Sequence, residues 1–205
     1  MSKKTLAILT ILIAIILDQV IKIYVKTHFV LGEEVVFFDW FRIHFVENNG
    51  MAMGFEFGGK AGKLFLTVFR LVAITAIIYW LSQNIKQKVH NAVIIAISLI
   101  FSGAVGNIID SVFYGVIFNH PKHSVATLFP ETTTGTFFHG KVVDMFYFPM
   151  WEGVLPEWIP FVGGEMFTFF QYIFNPADAF ISVGVALLFI FSKQAFPKEE
   201  KVVVD

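Results

Sequence analysis

Four long apolar runs alternate with polar stretches along the chain, at about 5–25, 64–81, 91–110 and 176–194. Each predicts a transmembrane helix, since a span needs about 20 predominantly apolar residues. Met1-Ser2-Lys3-Lys4 before the first run resembles the start of a secretory leader. No small-x-small cleavage site follows, and the run continues through Asp18-Gln19-Val20-Ile21-Lys22, so we read it as a retained first span. Between the first two runs, Val35–Trp40 and Phe41–Val46 have strand composition and predict a small extramembrane hairpin or curled sheet. Asn49-Gly50 marks a turn that needs positive φ. Small residues at 50, 52 and 54 would let a second backbone approach, although taken singly an ordinary hairpin turn is the better reading. Residues 82–90 read as a short polar loop, and 195–205 as a disordered tail. The longest extramembrane segment, Val112 to Thr168, contains Trp151, Trp158 and many Phe, which predicts a piece lying at the membrane interface. The expected fold is an all-α membrane protein of four transmembrane helices, with a small extramembrane β element and an interfacial segment on the outer face. No repeat or linker splits the chain, so one membrane-embedded domain is expected over 1–205.

Composition agrees with this pattern. Of 205 residues 56% are hydrophobic, 26 are Phe and the mean hydropathy is +0.70, against roughly 45–50% apolar residues in globular domains. A net charge of −1 offers no basic patch for nucleic acid. The absence of cysteine excludes a disulfide framework, a thiolate metal site and a cysteine nucleophile. His120, His123 and His139 lack metal-ligand spacing and read as solvated loop residues, so no metal or cofactor is expected. Lysine distribution orients the spans. Segments 1–4, 82–90 and 193–205 hold seven lysines, whereas the much longer segments between the other run ends hold six basic residues. Both termini are therefore expected inside, with the large segments outside.

Acidic and amide residues then gather near one membrane boundary. Asp18 and Lys22 are four apart on one helix face, which suits a structural ion pair within the bundle. Ser98, Ser102 and Gly106 form a small-residue stripe suited to close helix contact. Gly103, Asn107 and Asp110 share a neighbouring face, as interhelical hydrogen-bonding groups or as a site wall. Asn175 suits an N-cap, Pro176 the first helical position, and Asp178 then falls third. Taken alone, Asp178 reads either as a capping acid at a wet interface or as a functional carboxylate. Asp144 is expected in a loop or helix end outside the third span. Two facing carboxylates hold one proton between them near neutrality. One can then take a proton from water while the other polarises a scissile carbonyl. Spacing alone leaves that as one option among several.

Five blocks make the pattern specific: Leu17-Asp18-Gln19-Val20-Ile21-Lys22, Asn48-Asn49-Gly50-Met51-Ala52, Ser102-Gly103-Ala104-Val105-Gly106-Asn107-Ile108-Ile109-Asp110, Val142-Val143-Asp144-Met145 and Phe174-Asn175-Pro176-Ala177-Asp178. In this order the chain resembles the lipoprotein signal peptidase (signal peptidase II) family of bacterial membrane aspartic peptidases. The resemblance implies that Asp144 and Asp178 are the catalytic dyad. It implies that Asn48, Gly50, Asn107, Asp110, Asn175 and Ala177 bind substrate or support the site, with Asp18 and Lys22 bracing the bundle. It implies a diacylglyceryl-modified prolipoprotein as substrate, cut before the lipidated cysteine at the outer leaflet of the bacterial cytoplasmic membrane. It further implies globomycin inhibition, membrane lipid as a partner, and no cofactor; a monomer is expected. Departures from the family pattern are Ser102 for the first glycine of its block, Ser111 where an arginine usually follows Asp110, and longer segments before and after Asp144. Arg70 is one candidate for the missing cation, and the extra loops, 119–141 and 149–170, are expected to form a lid or rim.

Other classes fit less well. A proton-coupled transporter would show repeats and charges near the bilayer midplane. A Ser-Lys peptidase needs a lysine of lowered pKa, and Asp18 would keep Lys22 charged. A non-enzymatic assembly protein would tolerate Asp144→Asn.

Overall fold

In the computed structural model of the chain, residues 1–50, 59–121, 123–132 and 135–195 are described, the side chains at 59–61 and 63 excepted. The small residues at 52 and 54 and the tail at 196–205 lie outside the described residues. Five helices are present among those described: α1 (Lys3–His28), α2 (Gly59–Lys86), α3 (Asn91–Ile117), α4 (Pro176–Ile190) and α5 (Ser192–Ala195). The first three are long and apolar enough to cross a membrane, which makes this a multi-pass membrane protein. At 15 residues, α4 extends about 22 Å by its helical rise, short of the roughly 30 Å hydrocarbon core.

The helices outrun the apolar patterns that predict them. α2 absorbs much of the expected 82–90 loop, because its polar residues bond back to the helix. Ser82 Oγ donates to the Tyr79 carbonyl at 2.7 Å and Asn84 Nδ2 to the Trp80 carbonyl at 2.9 Å. α3 runs past 110 to Ile117, because Tyr114 is buried in an apolar core that begins there. The last helix does not run unbroken to 194. It ends at Ile190, and the chain bends at Phe191, whose ring stacks on His90 with centroids 5.3 Å apart. Ala195, expected at the start of the tail, is helical and buried in α5.

Packing divides the chain into two units. The first comprises Met1–Gln19, Leu66–Ile108 and Pro176–Asp205. Its core gathers Ala7, Leu81, Val93, Ile94, Ile97 and Ala195. The stripe of Ser98, Ser102 and Gly106 is buried. α3 and α4 meet backbone to backbone: a Cβ at Gly103 would overlap the Ala177 carbonyl and lie 2.7 Å from Ile181 Cγ1. With no hydrophobic drive between helices in lipid, such close contact is what holds them together. Gly103→Ala is therefore expected to cost about 1–3 kcal/mol by overpacking. Thermal unfolding in detergent checks this, and an unchanged midpoint contradicts it.

The second unit comprises Val20–Phe65 and Ile109–Asn175. Its four-stranded antiparallel sheet is ordered β1 (Glu34–Phe38), β2 (Phe41–Asn48), β3 (Val142–Tyr147), β6 (Ile173–Phe174). The β1–β2 hairpin lies where strand composition places it. β3 corrects the expectation of a loop or helix end around Asp144. Val142 through Met145 are all buried, so the strand shows no polar–apolar alternation to read. Val25, Phe45, Tyr114, Phe118, Val143 and Met145 form the core. The segment after α3 is strapped to its helix end: Gly140 N–H donates to the Ser111 carbonyl at 2.9 Å and Phe138 N–H to that of Val112 at 3.1 Å. A separate hairpin, β4 (Trp151–Val154) with β5 (Met166–Phe169), pairs Trp151 with Phe169 and Val154 with Met166. Around it Trp158, Phe161 and Met166 are exposed.

Candidate active site

Strand geometry places Asp144. Successive side chains on a strand point to opposite faces, and Val143 and Met145 point into the apolar core. Asp144 therefore faces the other way, and is still only 5% exposed. β2 runs antiparallel beside it with Val46 directly opposite. Asn48, two residues on and on the same face, donates through Nδ2 to Asp144 Oδ2. Asn48 is itself oriented by the turn that follows. Gly50, at φ 87°, donates its N–H to Asn48 Oδ1 at 2.5 Å, which commits the amide oxygen and turns the NH2 to the carboxylate. Asn175, fully buried at the end of β6, donates Nδ2 to Asp144 Oδ1 at 2.6 Å. Each carboxylate oxygen thus receives a carboxamide N–H. Such charge-assisted bonds offset the cost of burying a carboxylate.

Asp178 lies in the first turn of α4 and is partly exposed. Asn107 of α3 donates Nδ2 to its Oδ1 at 2.9 Å. The start of α4 is fixed by Asp18, whose Oδ1 accepts the Ala177 N–H at 2.9 Å. A carboxylate there satisfies one of the free N–H groups that begin a helix and complements its dipole. Gln19 Nε2 donates to Asp18 Oδ2 at 3.0 Å and to the Gly106 carbonyl at 3.3 Å, clamping the acid from its other side. Gln19 carries this role without having been singled out by spacing; its place beside an intramembrane acid was the available signal.

Asp110 and Lys22 are both fully buried, with Lys22 Nζ 2.9 Å from Asp110 Oδ2. The same oxygen accepts the Val143 N–H at 3.3 Å, so the pair braces the strand residue that precedes Asp144. Lys22 is thus a cation at Asp110, next to Ser111, where the resemblance leads one to expect an arginine. Within the first unit the structure brings together Asp18 with Ala177 and Asn107 with Asp178. Within the second it joins Asn48, Gly50 and Asn175 around Asp144, and Lys22 with Asp110. Among the described residues no group of three or more His, Cys, Asp or Glu could hold a metal ion.

These features define a class, a multi-pass membrane protein with carboxamide-held aspartates. Two solved structures of a bacterial membrane enzyme, determined by the in meso method at 1.9 and 2.3 Å resolution, share its fold with TM-scores of 0.60 and 0.58 at 24% identity. The alignments cover 95% and 96% of this chain and 94% and 93% of those. The sequence model of signal peptidase (SPase) II matches residues 10–194, and the chain belongs to this peptidase family. It is 49% identical over 204 residues to a lipoprotein signal peptidase of Porphyromonas gingivalis, covering 98% of this chain and 87% of that one. One from Amoebophilus asiaticus is 34% identical over 189 residues, covering 90% and 75%.

Asn175→Ala removes one of the donors to Asp144. A hydrogen bond to a charged group contributes about 1.5–3 kcal/mol, so peptidase turnover is expected to fall about 10- to 100-fold. The check is kcat and KM measured separately: a change confined to KM contradicts a role in holding Asp144.

Proposed function

We propose that the protein removes signal peptides from diacylglyceryl-modified prolipoproteins, cutting just before the lipidated cysteine, with Asp144 and Asp178 acting as one catalytic pair. The carrying observation is the treatment of these two acids. Asp144 is held by carboxamides of Asn48 and Asn175, and Asp178 by that of Asn107. Asn175 precedes Asp178 by only three residues, so one short stretch of chain serves both acids. Membership of the peptidase family and the relatives named lipoprotein signal peptidase support the substrate class.

The chemistry follows from carboxylates alone. The ionised member takes a proton from a water molecule, whose oxygen attacks the scissile carbonyl carbon. The protonated member donates a hydrogen bond to the carbonyl oxygen as charge develops there. Collapse of the tetrahedral intermediate breaks the C–N bond, and a carboxyl proton passes to the leaving amine. Asn48, Asn107 and Asn175 hold the carboxylates, Gly50 sets the Asn48 amide, and Ala177 anchors the turn that carries Asp178. Asp110 with Lys22, and Asp18, brace the frame; we also retain Asp18–Lys22 as a structural ion pair. Neither metal nor cofactor has a part in this reaction.

In this reading α4 with α5 is a fourth span, and both termini face the cytoplasm. The single membrane-embedded domain presents its site at the outer leaflet of the bacterial cytoplasmic membrane, as a monomer in lipid. The exposed aromatics around β4 and β5 lie in the interface beside it, where such rings concentrate. A lipid-anchored substrate is cut where its acyl chains still rest in the bilayer. The test is purified protein incubated with a diacylglyceryl-modified precursor. Cleavage at the cysteine, blocked by globomycin and unaffected by a chelator, is expected. Equal cleavage of the unmodified precursor, or none of either, overturns the proposal.

A further inference from the structure

The second unit contains a cavity of about 200 Å³ that the peptidase reading leaves unused. Its polar lining comes from Lys26, Glu47, Asn119, His120, Ser124 and Lys141. The volume far exceeds one water's share of about 30 Å³. Lys26 is 2% exposed and lies in the last turn of α1. An ammonium has three donors; among the described residues that of Lys26 makes one hydrogen bond, to Glu47 Oε1. Beyond that it rests 5.2 Å from the Phe118 ring centroid and 6.0 Å from that of Phe45. Glu47 Oε2 is taken by Lys141, 3.8 Å away and 44% exposed. Two ammonium groups against one carboxylate leave the lining one formal positive charge in excess. Asn119 Oδ1 accepts the Thr127 N–H at 2.7 Å, which leaves its NH2 to serve a ligand. The Ser124 hydroxyl adds a further donor.

We propose that this cavity binds a phosphate group. Lys26, Lys141, Asn119 and Ser124 supply donors in number and spread for a tetrahedral oxyanion. The apolar walls from Leu31, Phe45 and Ala126 keep the local dielectric low and strengthen the attraction. The phosphate comes either from a phospholipid headgroup or from a soluble phosphate. The position of Lys26 at the end of a membrane-spanning helix suits the first, since headgroups lie at that level. Glu47 immediately precedes Asn48, the Asp144 partner, so the occupied cavity adjoins the strand that holds the acid.

The test titrates the purified full chain in a zwitterionic, phosphate-free detergent by calorimetry. One arm uses inorganic phosphate and the other a short-chain phosphatidylglycerol. Saturable binding in the first arm assigns the site to soluble phosphate; binding in the second alone assigns it to a lipid headgroup. Lys141→Gln, a half-exposed position that the fold tolerates, is expected to weaken binding about tenfold, the loss of one charge-assisted hydrogen bond. Ser124→Ala gives a second and smaller loss. No binding in either arm, or affinities unchanged in both variants, overturns the proposal and leaves the peptidase reading standing.

Discussion

Asp144→Asn and Asp178→Asn are each expected to lower signal-peptide removal by about 10²–10⁴-fold, the range for a lost general acid or base. The carboxamide keeps the size and the acceptor oxygen of the side chain but can neither take a proton from water nor carry one to the leaving amine. Both proteins should still fold and insert, and Asp178→Asn should unfold at nearly the wild-type temperature. Asp178 is partly exposed, and Asn accepts the Asn107 bond through its own oxygen. Asp144→Asn is the more demanding replacement, because both of its oxygens receive carboxamide donors and its new NH2 would face one of them. A loss of several degrees in midpoint is expected there and only there. Wild-type turnover of a lipidated precursor by either variant contradicts the assignment.

The second large effect concerns stability. Lys22 and Asp110 are both fully buried and 2.9 Å apart. Lys22→Met strands a carboxylate in the core, and removal of one partner of such a pair costs about 3–5 kcal/mol. Asp110→Asn removes the negative charge beside the ammonium and weakens the bond from the Val143 N–H as well. Because Val143 adjoins Asp144, this variant should lose activity below the temperature at which it unfolds. Lys22→Met combined with Asp110→Leu should recover part of the lost stability, since neither member of this pair is then buried without the other. Thermal unfolding of the three variants in one detergent measures this. Additive losses in the double variant would show that the two groups do not act on each other.

Much of the fold was legible because lipid imposes a simple pattern. The runs behind α1, α2 and α3 are long and apolar, and the β1–β2 hairpin alternates beside them. Helix ends were less legible, since Ser82 and Asn84 satisfy themselves on their own helix and leave no polar break. β3 was hidden for a different reason. It is buried on both faces, so Asp144 sits in an apolar run that reads equally as a loop or helix end. The bend at Phe191 has no proline or glycine to announce it, and the ring there stacks on His90, a contact between distant residues.

The site divides in the same way. Residue blocks marked the acids, but their partners depend on register. Asn48 reaches Asp144 because β2 and β3 pair Val46 with Asp144. Lys22 meets Asp110 where α1 and α3 approach each other, a contact between residues 88 positions apart that helical spacing does not supply. Lys26 and Glu47 are 21 positions apart, and no spacing rule connects them.

The account rests on Asp144 and Asp178 working as one unit, and a kinetic cycle measures that directly. Single-turnover cleavage of a diacylglyceryl-modified precursor is compared among Asp144→Asn, Asp178→Asn and the double variant. If the pair acts together, the double variant should be no slower than the slower single variant. Losses that multiply, as for two residues acting separately, would contradict the account.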